Sequence, residues 1–277
     1  MFTQITDQMK AIIFTIVVLL LAVVFALLPN VNSLVYMLTP TLAALIMMFV
    51  FTRDGFSRAG WAALGLHRWG FRGYMPAFFI PLIIAFISFT LAWSCGLIKI
   101  QLPEQYGGAP WAVFPILILL TFVINVLTTS LGEELGWRGY WLPILVRVLG
   151  ERRAYAANGI IHGLWHAPIL LMTPIYHAEQ QPLLAILLLI VNCIALAPLI
   201  GSLRLRTNSI WPASILHTTH NLTWNVLMSM TIPQSALSSY ISAENGLITV
   251  ACYTIAASAV YYRIYKKTLF TQDTTVH

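Results

Sequence analysis

The chain has 277 residues, of which 59% are hydrophobic and only 9% are charged. Soluble globular domains carry roughly 25% charged and about 45–50% apolar residues, which argues against a soluble enzyme, a disordered tail or a secreted disulfide scaffold. The formal net charge of +6 does not indicate nucleic-acid binding, because Lys and Arg form no long basic run. The composition predicts a single membrane domain over residues 1–277.

Several apolar segments are long enough to cross a bilayer, whose hydrocarbon core of about 30 Å needs roughly 20 apolar residues per helix. Eight such segments lie at residues 11–28, 34–52, 75–97, 111–131, 155–175, 182–200, 209–230 and 245–263. They lack the sustained alternation of membrane β-strands, so an all-α fold is predicted. The first segment could be a signal peptide, but no small-residue cleavage site follows it, and a retained helix is expected.

The distribution of Lys and Arg predicts the orientation of these helices. If the N-terminus is cytoplasmic, 14 of the 15 basic residues fall in cytoplasmic segments and only Lys99 falls outside. Cytoplasmic loops carry the excess of basic residues in membrane proteins. The sequence therefore predicts eight helices with both termini in the cytoplasm. Residues 53–74 mix Arg and His with aromatic residues and should lie along the cytoplasmic interface, whereas residues 98–110 should form an outside loop.

Two acidic residues, Glu133 and Glu134, directly follow the apolar segment 111–131. In a helix, Glu134 and Arg138 lie four residues apart on one face and can form an ion pair. Glu133 then points to another side and is available for chemistry. The alternative is a pair of charges at a helix end, without a catalytic task.

Two other predicted helices carry polar residues at intervals of four. These residues are Asn158, His162 and His166 in the fifth segment, and His217, Asn221 and Asn225 in the seventh, with His220 beside them. Polar side chains inside a membrane usually face a cavity or a partner, so the two stripes predict a polar cavity. Gly159 and Gly163 would allow close helix approach. The alternatives are satisfied core histidines and hydrogen bonds between helices.

A zinc site is a second possibility for this cluster. His162 and His166 are spaced as a ligand pair that His217 or a glutamate could complete. However, no HExxH pattern is present, nor the GxSxG turn of serine hydrolases, so no metal is expected. The three cysteines, Cys95, Cys193 and Cys252, are widely separated in apolar segments and are predicted to be packing residues.

Three motifs in order resemble the CPBP family of intramembrane endopeptidases, which includes type II CAAX prenyl proteases and bacteriocin-processing and self-immunity proteins. They are Glu133-Glu134-x-x-x-Arg138, Trp165-His166-Ala167-Pro168 and His217-x-x-x-Asn221. The resemblance covers about residues 110–225 and places the catalytic core at 111–230. It implies a hydrolase, embedded in a lipid bilayer, that cleaves membrane-associated peptides or proteins.

The resemblance also implies roles for individual residues. Glu133 would activate a water that His166 helps to hold, and His217 and Asn221 would donate hydrogen bonds to the tetrahedral oxyanion. Glu134 and Arg138 would brace the site. The family's second motif is FxxxH, and His162 here stands at the Phe position. Either histidine could therefore match, although the following Ala-Pro favours His166 and leaves His162 as a supporting residue.

Two other functions compete with a peptidase. A proton-coupled transporter would use buried Glu and His residues to carry ions, but internal repeats and paired broken helices, typical of transporters, are not seen. A non-catalytic immunity or scaffold protein would keep the fold without the reaction, although all motif residues are present. A multi-pass location is expected in either case, in the cytoplasmic membrane if the host is prokaryotic.

Overall fold

Helices form nearly all the regular structure in the computed structural model, which describes residues 5–29, 31–173 and 180–273, with side chains as far as residue 266. The α-helices are α1 (Asp7–Ala26), α2 (Ser33–Met37), α3 (Thr39–Ile46), α4 (Arg58–Ala63), α5 (Tyr74–Ser94), α6 (Phe114–Leu127), α7 (Thr129–Glu134), α8 (Leu142–Leu149), α9 (Glu151–Trp165), α10 (Ala167–Met172), α11 (Pro182–Thr207), α12 (Trp211–Ser229), α13 (Ser238–Ile241) and α14 (Leu247–Asp273). Met47–Phe51 and Leu135–Trp141 are π-helical, and Asp54–Phe56, Phe71–Gly73 and Trp111–Val113 are 3₁₀ turns.

The predicted all-α membrane fold is confirmed. Within the described residues, six helical stretches are long and apolar enough to cross a membrane: Asp7–Ala26, Ser33–Phe51, Phe71–Ser94, Trp111–Leu149, Pro182–Thr207 and Leu247–Lys266. The two other predicted spans overlap α9–α10 and α12. α9 is too short, and α12 is too polar, to count as a membrane-crossing helix by length and hydropathy. Residues 174 and 175 of the fifth predicted span lie outside the described residues. Eight crossings and cytoplasmic termini remain predictions.

The fourth predicted span is longer than the sequence pattern indicated. Helical backbone extends from Trp111 to Leu149, with a break at Thr128, whose φ is −126° and ψ is −85°. Glu133 therefore lies inside a helical stretch and not at the end of one. Arg138, which the charge count placed in a cytoplasmic segment, is buried in this stretch at 1% exposure. The polar groups that ended the apolar pattern contact buried partners, although Oε2 of Glu134 and Nε of Arg138 have none among the described residues.

Two glycines of α9 lie directly against α11. A Cβ atom on Gly159 would be 2.6 Å from the Cα of Ile194, and one on Gly163 would be 2.6 Å from the Cα of Ile190. Because a methyl group cannot fit at such distances, glycine is what permits this approach. The expected close packing of this face is confirmed, and it brings His162 on α9 toward α11.

Loops at the two ends of the bundle are also ordered by specific contacts. β1 (Ile98–Ile100) pairs antiparallel with β2 (Thr231–Pro233), so the predicted loop 98–110 begins with a short strand. At the segment 53–74, the Trp211 indole donates to the carbonyl of Leu66 at 3.1 Å. This segment packs against the start of α12, which carries the second polar stripe.

Replacing Gly163 with Ala should destabilise the protein, because the new methyl group would push α9 away from α11. Overpacking of this kind costs about 1–3 kcal/mol, and thermal unfolding in detergent measures it. Ile160→Ala on the same helix is the control, since Ile160 is 40% exposed and faces away from the packed core. Equal unfolding temperatures for Gly163→Ala and the wild type would contradict the close approach.

Reporter insertions should test the predicted orientation. We expect reporters at both termini and at Gly150 to lie on the cytoplasmic side, and a reporter at Gly108 to lie on the opposite side. Both glycines have open space around the Cβ position, so an insertion there disturbs little packing. A reporter at Gly108 found on the same side as one at Gly150 would overturn the predicted topology.

Candidate active site

A cavity of about 300 Å³ lies between α2, α7, α9, α11, α12 and the loop that precedes α14. All seven candidate site residues from the sequence line this one cavity: Glu133, Glu134, Arg138, His162, His166, His217 and Asn221. They come from α7, the following π-helix, α9, the α9–α10 junction and α12. Residues separated by more than 80 positions in the sequence therefore border one cavity.

The short helix α7, which carries both glutamates, is fixed by hydrogen bonds to its neighbours. Ser214 on α12 donates to the carbonyl of Val126 at 2.7 Å, next to the break at Thr128. Thr218 on α12 donates to the Ser130 hydroxyl at 2.7 Å. These bonds satisfy backbone and hydroxyl groups that the break leaves unpaired and hold α7 against α12.

Glu134 forms the predicted ion pair with Arg138 and a second contact with α12. The Nη1 of Arg138 and the Nδ1 of His217 each lie 2.9 Å from the Oε1 of Glu134. The side chains of Glu134 and Arg138 are 0% and 1% exposed. A buried carboxylate is tolerated only when charge and hydrogen bonds compensate it, so Glu134 anchors Arg138 and His217 together.

Glu133 is also held, although the sequence pattern suggested an unengaged carboxylate. Its Oε2 lies 2.9 Å from the Nε2 of His162, and the Nδ1 of His162 lies 3.4 Å from the Nη1 of Arg138. A guanidinium only donates hydrogen bonds, so Nδ1 of His162 is an acceptor. Its proton is then on Nε2, which donates to Glu133. The ring of His162 also packs on Trp137 at 4.9 Å between centroids.

His166 lies one turn further along, where α9 ends. Its Nδ1 donates to the carbonyl of His162 at 3.1 Å, which places the basic nitrogen of the neutral ring at Nε2. Pro168, at the second position of α10, cannot continue the hydrogen bonds of α9. The Tyr36 hydroxyl donates to the carbonyl of Trp165 at 2.5 Å, which satisfies the end of α9.

The structure changes the interpretation of two polar residues in the stripes. Asn158 does not line the cavity; its Nδ2 donates to the carbonyl of Trp137 at 3.2 Å, so it links α9 to the π-helix. His220 contacts the hydroxyl of Tyr253 at 2.8 Å and a carboxylate oxygen of Glu244 at 3.2 Å. His220 still lines the cavity, and of the six stripe residues only Asn158 does not.

Some residues that line the cavity were not identified from the sequence. They are Tyr36, Asn192, Cys193, Glu244 and Asn245. Asn192 is an isolated amide in the apolar run of α11, which was an available signal, and its Nδ2 donates to the Oδ1 of Asn245 at 2.7 Å. Glu244 lies in the loop before α14, and nothing local in the sequence indicates that this loop folds back onto α12.

One group of metal-binding side chains occurs within the cavity. The donor atoms of His162, His166 and Cys193 lie within 4.8 Å of one another, a set that suits a soft metal such as zinc. Both ring nitrogens of His162 already contact Glu133 and Arg138. A metal bound to His162 would have to displace one of those contacts, which disfavours a resident ion. Cys193 is buried, as predicted, but borders the site.

These features define a class of protein, a multi-pass membrane protein with a cavity of ionisable side chains among its helices. Residues 115–223 fit the family model described as "Type II CAAX prenyl endopeptidase Rce1-like". That segment is similar to this family, within the CPBP group. No curated protein matches the chain. The matched segment contains every candidate site residue proposed from the sequence.

Removing Arg138 should cost far more stability than removing Arg147. Arg147 pairs with Asp7 at 2.6 Å but is 54% exposed, and exposed pairs contribute about 0–1 kcal/mol. Arg138→Met leaves the buried Glu134 without its cation, which costs about 3–5 kcal/mol. Denaturant unfolding in detergent compares Arg138→Met with Arg147→Met, and Arg138→Lys should fall between Arg138→Met and the wild type. Equal losses for the two methionine variants would refute a structural role for the buried pair.

Proposed function

We propose that this chain is an intramembrane endopeptidase in which Glu133 activates a water molecule for attack on a peptide bond. The observation that carries the proposal is the shared cavity. It holds a carboxylate oriented by His162 at 2.9 Å together with His166, His217 and Asn221. The substrate would be a peptide or protein associated with the membrane. In a prokaryotic host, that membrane would be the cytoplasmic membrane.

Glu133 suits the role of general base because it is oriented and enclosed. It is 2% exposed, and its Oε2 accepts a hydrogen bond from His162. In the proposed reaction, a water oxygen attacks the carbonyl carbon while Glu133 takes one water proton. Glu133 then gives that proton to the leaving amine as the C–N bond breaks. His166, one turn from His162, would hold the water through Nε2.

The developing negative charge would be stabilised from α12. Asn221 offers a side-chain amide donor to the cavity. His217 donates from Nδ1 to Glu134, so its Nε2 can donate only when the ring carries both protons. The adjacent Glu134 carboxylate stabilises that imidazolium. Preorganised donors of this kind contribute about 3–4 kcal/mol each to catalysis.

A proton-coupled transporter fits the contacts less well. Hydrogen bonds connect a series of five side chains that resembles a proton path: His217, Glu134, Arg138, His162 and Glu133. Arg138 stands in the middle of it, and a guanidinium does not release its proton in a protein. This series of contacts therefore orients groups and does not relay protons.

Cleavage of labelled peptides in detergent or vesicles tests the proposal. We expect Glu133→Gln to lower kcat/KM by about 10²–10⁴-fold, as for loss of a general base, and His217→Ala by about 10²–10³-fold. Substrates should include a membrane peptide with a farnesylated CAAX terminus and the same peptide without the lipid, because the matching family model is described as a CAAX prenyl endopeptidase.

The matched control is Glu104→Gln, since Glu104 is an exposed loop residue far along the chain from the motifs. It should cleave like the wild type, and cleavage is measured well below the unfolding temperature of each variant, so that a lower rate does not reflect unfolded protein. Wild-type cleavage by Glu133→Gln would eliminate the glutamate mechanism. Loss of activity with a chelator, restored by zinc, would instead support a metal-dependent reaction.

A further inference from the structure

Asn225 is the next cavity residue along α12 after Asn221, and the family motif does not include it. Both side chains line the cavity. Neither makes a side-chain hydrogen bond to another group in the part of the chain that the structure describes. Amides in membrane helices ordinarily bond to a neighbouring helix. Asn221 is half-buried and Asn225 is exposed, so both amides at the cavity are accessible to a ligand.

The spacing of the two amides matches that of a peptide backbone. Four residues along a helix correspond to a rise of roughly 6 Å at 1.5 Å per residue. Two residues of an extended peptide span about 7 Å. If the Asn221 amide lies at the carbonyl of the bond being cleaved, the Asn225 amide lies beside the peptide group about two residues away.

The chemistry of the surrounding wall supports a peptide ligand. Asn192 and Asn245 form a hydrogen-bonded amide pair on the same cavity, and the Oδ1 of Asn192 has no partner among the described residues. A carboxamide carries one carbonyl acceptor and an NH₂ donor, like a peptide group. These amides therefore suit the main chain of a peptide, although the neighbouring Glu244 also borders the cavity.

We infer that Asn225 binds the substrate main chain about two residues from the bond that is cleaved, and so sets the register of the peptide in the site. The inference rests on the proposed function, because it takes Asn221 as the reference point. Asn225 is then a positioning residue. The cavity accepts the substrate as an extended, non-helical peptide.

The test combines variants with an ester scan of a peptide that the wild type cleaves. Each peptide N–H, from three residues before the cleaved bond to three residues after it, is replaced in turn by an ester oxygen. With the wild type, the ester about two residues from the cleaved bond should lower kcat/KM by about 3- to 10-fold, the effect of one lost hydrogen bond at an accessible site. Asn225→Ala should cleave the all-amide peptide more slowly by a similar factor, and that ester should have no further effect.

Asn158→Ala is the matched control, since Asn158 is a buried amide of the neighbouring helix that bonds to Trp137 and lies outside the cavity. Whatever its stability, it should keep the wild-type ratio between amide and ester substrates. An unchanged ester penalty in Asn225→Ala would overturn the inference, as would the absence of a sensitive position in the wild type. If cleavage does not depend on Glu133 at all, the proposed function fails first, and that outcome is separate.

Discussion

The guanidinium of Arg138 is the charge on which the site depends. It lies 2.9 Å from Glu134 and 3.4 Å from His162; Glu134 in turn contacts His217, and His162 contacts Glu133. The hydrogen bonds thus connect α7, the π-helix, α9 and α12. Since a buried carboxylate without partners is costly in an apolar interior, the contacts that keep the two glutamates inside the fold also orient the groups proposed to act.

Much of the site was predictable because membrane interiors penalise polar groups. The i, i+4 spacing indicated the pair of Glu134 and Arg138, and the polar stripes indicated which helices border a cavity. The partner of Glu133 was not predictable, since His162 and His166 differ by one turn and only the packing of α9 distinguishes them. The approach of Glu244 to His220 was also hidden, because it depends on how the loop before α14 returns to the bundle.

Most of the fold was also predictable, because long apolar segments indicate membrane helices. The end of the fourth segment was predicted wrongly. Apolar windows found all the segments that form the long helices. They ended the fourth segment at residue 131, because Glu133, Glu134 and Arg138 interrupt the apolar pattern, whereas the backbone stays helical to Leu149. A composition window cannot distinguish a helix end from a helix whose polar residues pair with one another. The π-helix at Leu135–Trp141, a form frequent at functional sites, leaves no composition signal either.

The protonation of His162 tests this account most directly, because Arg138 dictates it. Solid-state NMR of the protein with ¹⁵N-labelled histidine, with His162 assigned by comparison with His162→Asn, reports which ring nitrogen carries the proton. We expect a neutral ring with the proton on Nε2, donating to Glu133, and an unprotonated Nδ1 facing Arg138. A proton on Nδ1 would show that Arg138 does not direct His162 toward Glu133, and the proposed orientation of the base would be wrong.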